Sequence, residues 1–450
     1  MERKDTDKKS NKSNRSNRFK VLTNNKQDIY DIEFPAQDQV HFIYPTEYLA
    51  QLSDLLGRTV DSHMLHLYKD VYGRQFVLER LPLSTEAVKQ CKDDMHVFIS
   101  QLLIGECGLI SAILHELMYR INGSNDRNLQ ILFNTYRVIF YRMADRPNEY
   151  EQTMESLEDS RDEFTDEHYY WYYREIGVAM LKEVKYKSAL SQFLKAEKLS
   201  DNIKVNDASL YVKIAHCLAY MGFANGSIKY LEKAEKLTSE AYINRYRLHI
   251  QLLYAINYTN MGEASKSLEL LKGLFRDEID AIKKGGYNPM LYGHFAEAYQ
   301  ELGEYEKAID NIDNAIRSAK YLKLANEQIY YTYVMAAMLD KIGKSVECRY
   351  LLEDGLESES TNQTLDNILL NTLRHCLTLN KAESLEYVEN YAIGRLMHYG
   401  LNIQAIEYHK KLCTHYSTCN ENIGNYKKAL YHSLEVNKIR ENLSKGGYRT

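Results

Sequence analysis

The chain is 450 residues long, 26% charged and 44% hydrophobic, with a formal net charge of −5, figures that exclude wholesale disorder. Only one of its five prolines lies beyond residue 147, and Leu, Ala, Glu, Lys and Tyr dominate the rest, which excludes collagen-like and all-β folds and predicts a mostly helical protein. No apolar run reaches the roughly 18 residues of a membrane span and no signal-peptide core opens the chain, so the expectation is a cytoplasmic protein with no membrane partner. The seven cysteines are odd in number and form no CxxC pair, as expected of free thiols in a reducing compartment.

Four segments follow one another. Residues 1–26 carry nine Lys/Arg against three Asp/Glu, a balance of +6 that leaves −11 for the remainder. Nearly free of apolar residues, this segment is predicted to be a disordered basic tail, either solubilising or an arm for DNA, RNA or an acidic partner. Residues 27–90 form a small N-terminal module. Asp28–Phe34 and Val40–Tyr44 are predicted short strands ended by Pro35 and Pro45, and residues 46–73 a helix, turn and helix. Ser53 and Gly57 have the spacing of a DNA-reading helix-turn-helix. The second helix, however, offers Asp61, His63 and His66 and almost no Arg, Lys, Asn or Gln for base edges. A structural hairpin is the favoured reading, with DNA left open as a partner of residues 1–90. Residues 91–150 are predicted to form a helical bundle: apolar positions recur at helical spacing from Met95 to Leu117, Asn122-Gly123-Ser124 breaks the chain, and a second helix spans Leu129–Met143 before Pro147.

From residue 151 to 450 an internal repeat sets the architecture. Two fragments are nearly ideal, LGEYEKAIDNIDNA around Gly303, Tyr305 and Ala308 and IGNYKKALYHSLEV around Gly424, Tyr426 and Ala429. Weaker copies stand at Tyr186/Ala189, Gly222/Ser227, Gly262/Ser267, Gly343/Cys348 and Gly400/Ala405, and the turn glycines 222, 262, 303 and 343 are 40 or 41 residues apart. This is the logic of tetratricopeptide repeats, whose usual period is about 34. A glycine permits the turn between helices A and B, and a small residue lets helix B sit closely on helix A. The predicted fold is therefore all-α, a right-handed solenoid of long tetratricopeptide-like repeats with a concave groove, preceded by the bundle and the small module.

Catalytic motifs are missing: no phosphate-cradling loop, GxSxG, HExxH or dinucleotide fingerprint occurs. His409-x3-Cys413-x-His415-x3-Cys419 contains two i,i+4 pairs, but on one helix they face about 120° apart, so no metal and no other cofactor is expected. The five consecutive aromatics Tyr169–Tyr173 cannot share one helix face, so some belong to the core.

With these residues in view, the stretch from about 93 to 450 resembles the Rap-type response-regulator phosphatases and the related NprR and PlcR peptide-pheromone receptors of Gram-positive bacteria. The resemblance is carried by ASLYVKIAHCLAYMGFANGSIKYLEKA, YRLHIQLLYAINYTNMGEASKSLELL, QIYYTYVMAAMLDKIGKSVECRYLL and the closing EVNKIRENLSKGG. It implies a quorum-sensing regulator whose groove binds a short signalling peptide and thereby switches the binding of its N-terminal region to a response regulator, another regulatory protein or DNA. By position, the peptide-binding candidates are Lys213, His216, Gln251, Tyr254, Asn257, His294, Glu297, Tyr330 and Tyr333, with Asn257 as the carboxamide that clamps a peptide backbone. The resemblance also leaves open an aspartyl-phosphate phosphatase, for which Gln101 and Gln130 are the available glutamines and Gln130 the catalytic candidate; Arg127 stands where a direct match would place it. A plain protein-interaction scaffold is the third reading. A homodimer stays open, since no patch visible in the sequence compels one.

Overall fold

The computed structural model describes residues 18–22, 29–33, 85–104, 113–114, 117–118, 121, 126–203, 207–237, 240–284, 286–357, 365–418 and 423–445. The module helices expected over 46–73 and the strand expected at 40–44 lie outside these residues. The chain divides into two compact units, residues 1–165 and 166–450.

In the first unit, β1 (Arg18–Leu22) and β2 (Ile29–Glu33) pair antiparallel. The register runs from Arg18 opposite Glu33 to Leu22 opposite Ile29. β2 falls within the strand expected at Asp28–Phe34, whereas its partner β1 lies inside the segment expected to be a disordered tail. The helices of this unit are α1 (Thr85–Ile104), α2 (Arg127–Met143) and α3 (Pro147–Asp159). Asp126 caps α2 by accepting from the Leu129 amide at 3.1 Å. Pro147 opens α3 at its first position, where a missing N–H leaves no bond unmade. Leu157 of α3 packs on Ile131 and Val138 of α2, within the first unit.

The second unit is helical throughout its described residues: α4 (Asp166–Lys182), α5 (Tyr186–Ile203), α6 (Ala208–Tyr220), α7 (Ala224–Leu237), α8 (Glu240–Asn260), α9 (Ala264–Asp277), α10 (Ile279–Lys284), α11 (Asn288–Glu301), α12 (Tyr305–Tyr321), α13 (Ala325–Lys341), α14 (Ser345–Glu357), α15 (Leu365–Cys376), α16 (Ala382–Glu386), a π-helical turn (Tyr387–Ala392), α17 (Ile393–Tyr399), α18 (Asn402–Thr418) and α19 (Ile423–Ser444). Gly222, Gly262, Gly303 and Gly343 all take left-handed backbone angles, φ +76 to +84°, directly after helices α6, α8, α11 and α13. That conformation brings the amide of the next residue back onto the carbonyl five before it, as in Phe223 N to Leu218 O at 2.8 Å and Lys344 N to Leu339 O at 2.9 Å, and so ends each A helix. Val184 makes the same turn after α4 with no glycine, at φ +59°. Five residues beyond each turn sits the small residue the repeat demands: Ala189, Ser227, Ser267, Ala308 and Cys348 are all fully buried. Ser227 turns its hydroxyl onto the Ala215 carbonyl of helix A at 2.8 Å, so its polar atom costs nothing there.

Each core layer joins one repeat to the next. Ala215 of α6, Leu231 and Ala234 of α7 and Leu253 and Ile256 of α8 form a single cluster, as do Ala296, Ile312 and Met338 of α11, α12 and α13. No repeat can bury these residues alone, which is why the array folds as a stack. Between α4 and α6 the joint is polar. Arg174, 1% exposed, bonds Asp207 at 2.6 Å and the Ser209 hydroxyl at 2.5 Å. Asp207 also receives the Tyr170 hydroxyl and caps α6 through the Ser209 amide at 2.9 Å. Tyr170, Trp171 and Tyr172 are thus core residues, while Tyr169 and Tyr173 stack on each other at the edge.

The solenoid also meets itself. Asn402, at the start of α18, donates its Nδ2 to the carbonyl of Met221 in the α6–α7 turn at 2.8 Å. Gly400, at φ +90°, lies so close to Met221 that a Cβ would stand 2.9 Å from Cγ of that side chain. On α19, Tyr426, Leu430 and Leu434 recur every four residues, each more than half exposed, an apolar stripe not evident from the sequence. Among the described residues no helix is long and apolar enough to cross a membrane.

Candidate functional site

The A helices share one inner stripe, and the turn glycines give its phase. Two residues before the four glycines stand Tyr220, Asn260, Glu301 and Lys341; three before stand Ala219, Thr259, Gln300 and Asp340; all eight line one cavity. One helical turn earlier, Ile256, Glu297 and Ala337 line it as well. Leu369 and Leu373 of α15 and Gln404, Glu407 and Tyr408 of α18 complete the wall. Counting its open mouth, the space is about 1210 Å³.

Three kinds of side chain face it. Tyr186, Tyr220, Tyr330, Tyr333 and Tyr408 supply flat area, and burial holds the phenols of Tyr220, Tyr330, Tyr333 and Tyr408 well above their ordinary range, so they remain neutral hydroxyls. Tyr186 stacks on Tyr220 at 5.2 Å, and the Tyr408 and Tyr333 hydroxyls meet at 3.0 Å. Asn260, Gln300 and Gln404 supply carboxamides, which both donate and accept, as an extended backbone requires. Asn260 already donates to the Ala219 carbonyl at 2.9 Å, whereas Oε1 of Gln404 is buried without a hydrogen-bond partner. Charge is uneven: Glu297, Glu301, Asp340 and Glu407 outnumber Lys341 and Lys411, and Lys411 is paired with Asp340.

Beyond Tyr220 the inner stripe continues as a histidine cluster. His216 stacks on Tyr220 at 4.7 Å, its Nδ1 lies 3.1 Å from Nε2 of His249, and the rings of Tyr220 and His294 are 6.3 Å apart. Burial, then the neighbouring His249 and Lys213, holds His216 well below its usual pKa; burial and Lys213 push His249 down to about 4.

The predicted peptide residues separate into two groups. Lys213, His216, His294, Glu297, Tyr330 and Tyr333 share the inner stripe, and Glu297, Tyr330 and Tyr333 border the cavity itself. Gln251, Tyr254 and Asn257, three residues apart, lie one position out of phase. Tyr254 donates its hydroxyl to Glu235 of α7 at 3.1 Å. Asn257 is fully buried, donates its Nδ2 to Ser227 of helix B at 2.8 Å and does not border the cavity. Tyr220, Asn260 and Gln404 line the cavity without having been expected there from the sequence, and counting back from the turn glycines reaches the first two. In the other unit, Gln130 sits half-buried in the first turn of α2, and Arg127 is engaged by Glu163 at 3.1 Å and Ser160 at 2.8 Å. His409 pairs with His432 of α19 at 2.9 Å, and Cys419 of the same sequence cluster lies outside the described residues. Among the described residues no group of His, Cys, Asp or Glu is placed to hold a metal ion.

No protein-family model matches the chain, and no curated protein matches it. Solved structures do. NprR in complex with its cognate peptide NprX superposes with a TM-score of 0.67 at 17% identity, covering 78% of this chain and 99% of that one. A Rap protein complexed with competence and sporulation factor gives 0.63 at 14% identity, covering 80% and 100%. The apo form of the quorum sensor NprR from B. thuringiensis gives 0.54 at 17% identity, covering 78% and 99%. The all-α repeat solenoid expected from the sequence is therefore the fold, and it is one shared with NprR and Rap proteins.

Proposed function

We propose that this chain is a cytoplasmic receptor for a short, extended signalling peptide held against the inner stripe of the A helices. Occupancy of the groove changes what the N-terminal unit binds, a response regulator, another regulatory protein or DNA through residues 1–90. The observation that carries this reading is the cavity itself, which five tyrosines line together with the carboxamides of Asn260, Gln300 and Gln404. Aromatic faces take apolar side chains at low entropy cost, and carboxamides take the peptide backbone in either sense. Support comes from the fold, since NprR with NprX and a Rap protein with competence and sporulation factor are both peptide complexes of this architecture.

The switch follows from the way the cavity is walled. Ala219 and Tyr220 on one side and Leu401, Ile403 and Gln404 on the other come from segments joined by the Asn402–Met221 bond. A ligand touching both sides prefers the closed arrangement, and a hundredfold preference shifts the equilibrium by about 2.7 kcal/mol. The test is affinity selection: the full chain is incubated with a synthetic pool of five- to ten-residue peptides, and retained sequences are read by mass spectrometry. Defined peptides should be retained by the wild type and lost from Asn260→Ala and Tyr330→Ala. Retention of none, or of the same set by both variants, removes the groove as a peptide site.

A further inference from the structure

The groove has two ends of opposite chemistry, and the difference fixes a direction. At one end lie Lys213 and His216 on α6 and His249 on α8; Lys213 sits 5.8 Å from the Tyr246 ring centroid, and the two imidazoles touch. Nε2 of His294, buried beside them at 3% exposure, has no hydrogen-bond partner. At the other end Glu301, Asp340 and Glu407 line the cavity; Asp340 is paired with Lys411 and Glu407 with Lys410, which leaves Glu301 as the carboxylate of the three outside an ion pair. Tyr220 connects the ends: it borders the cavity and stacks on His216.

We propose that the peptide binds with its free carboxyl terminus against Lys213, His216 and His249 and its amino terminus toward Glu301, an orientation that rests on the peptide-receptor reading above. One ammonium and two imidazoles present up to three charge-assisted donors to a carboxylate, and a carboxylate is the one group a peptide of any sequence carries at a single end. The partners facing the imidazoles allow the protonation this requires. Tyr186, Tyr220 and Tyr287 contribute neutral rings; His294 shares its Nδ1 with Glu297 at 3.0 Å; Asp207, on the far side of Lys213, is already bound to Arg174. Burial, with Lys213 beside it, keeps His216 and His249 neutral. A carboxylate placed among them offsets Lys213 and favours the imidazolium, so the peptide binds with proton uptake and more tightly as pH falls from 8 toward 6.

The test uses a peptide retained from the synthetic pool, remade as free acid, as C-terminal amide and as N-acetyl acid, each titrated into the full chain at pH 8 and pH 6 in buffers of differing ionisation enthalpy. The free acid should bind at least tenfold more tightly than the amide, take up protons and strengthen at pH 6, and the amide should lose all three properties. Lys213→Met should weaken the acid at least tenfold and leave the amide unmoved. Glu301→Gln should weaken the acid with a free amine and spare its N-acetyl form. Equal affinity of acid and amide, with binding intact, overturns the orientation and leaves the receptor reading standing. Retention of no peptide at all overturns both.

Discussion

Arg174→Met isolates the polar joint between the first two repeats. The guanidinium is 1% exposed and bonds Asp207 at 2.6 Å, and Asp207 is itself 4% exposed. Arg174 holds the Asp207 carboxyl below the usual carboxylate range despite a burial that on its own would raise it. Removing the cation therefore strands a buried carboxylate, which costs about 3–5 kcal/mol by comparison with other broken buried pairs. Asp207 still accepts the Ser209 amide at 2.9 Å, the Ser209 hydroxyl and the Tyr170 hydroxyl at 3.1 Å, so the loss falls toward the lower end of that range. Urea unfolding of the full chain at pH 7.5, followed by far-ultraviolet circular dichroism, reads the change directly. A second variant, Arg174→Met with Asp207→Asn, keeps an N-cap acceptor without its charge and should recover at least 1 kcal/mol of the loss. A single-variant loss under about 1 kcal/mol, or a double variant less stable than the single one, would refute the stranded-charge argument.

Three further predictions follow from particular residues. Val184 holds a left-handed backbone that a β-branched residue strains to keep, so Val184→Gly should raise stability by roughly 1 kcal/mol, read as about 2–4 °C in Tm; an unchanged or lower Tm would show the turn to be relaxed. Burial and its neighbours lower the pKa of His249 to about 4 from an ordinary 6.5, so the unfolded chain binds the extra proton between those values. Its stabilisation is complete above about pH 6.5 and is lost as pH falls toward 4, on the order of 2 kcal/mol gone by pH 5; His249→Asn should flatten that part of the stability–pH curve, and an unaltered slope contradicts the assignment. Asn402→Ala leaves the Met221 carbonyl without its partner and should cost about 1–3 kcal/mol while speeding hydrogen exchange in both the α6–α7 turn and the start of α18; exchange rising in only one of the two would mean that they are not joined.

Much of the fold was legible because its demands fall on single residues. A turn that needs φ near +80° writes a glycine at 222, 262, 303 and 343, and a close helix contact writes a small residue five positions on. Val184 shows the limit: the same turn forms at φ +59° without its glycine. The site was less legible because the A helices are apolar on several faces at once. Leu252 and Leu253 are both fully buried, so polarity does not mark which side of α8 meets the groove. A reading one residue out of phase then selects Asn257, which braces Ser227, in place of Asn260, which lines the cavity. The Asn402–Met221 bond joins residues 181 apart and leaves no local pattern to detect. The charge division along the groove emerges only when Lys213, His216 and His249 from two different helices stand side by side.

Peptide binding by the inner stripe is open to direct measurement. Thermal melting of the full chain with and without a synthetic five- to ten-residue peptide taken from the selection tests it most directly. At a hundred times its dissociation constant, a ligand of the folded state adds about 2.7 kcal/mol, which at roughly 2–4 °C per kcal/mol raises Tm by about 5–10 °C. The wild type should show that rise, Tyr330→Ala should lose it, and a scrambled peptide should produce none. An unchanged Tm under saturating peptide, or an equal rise with the scrambled sequence, would contradict it.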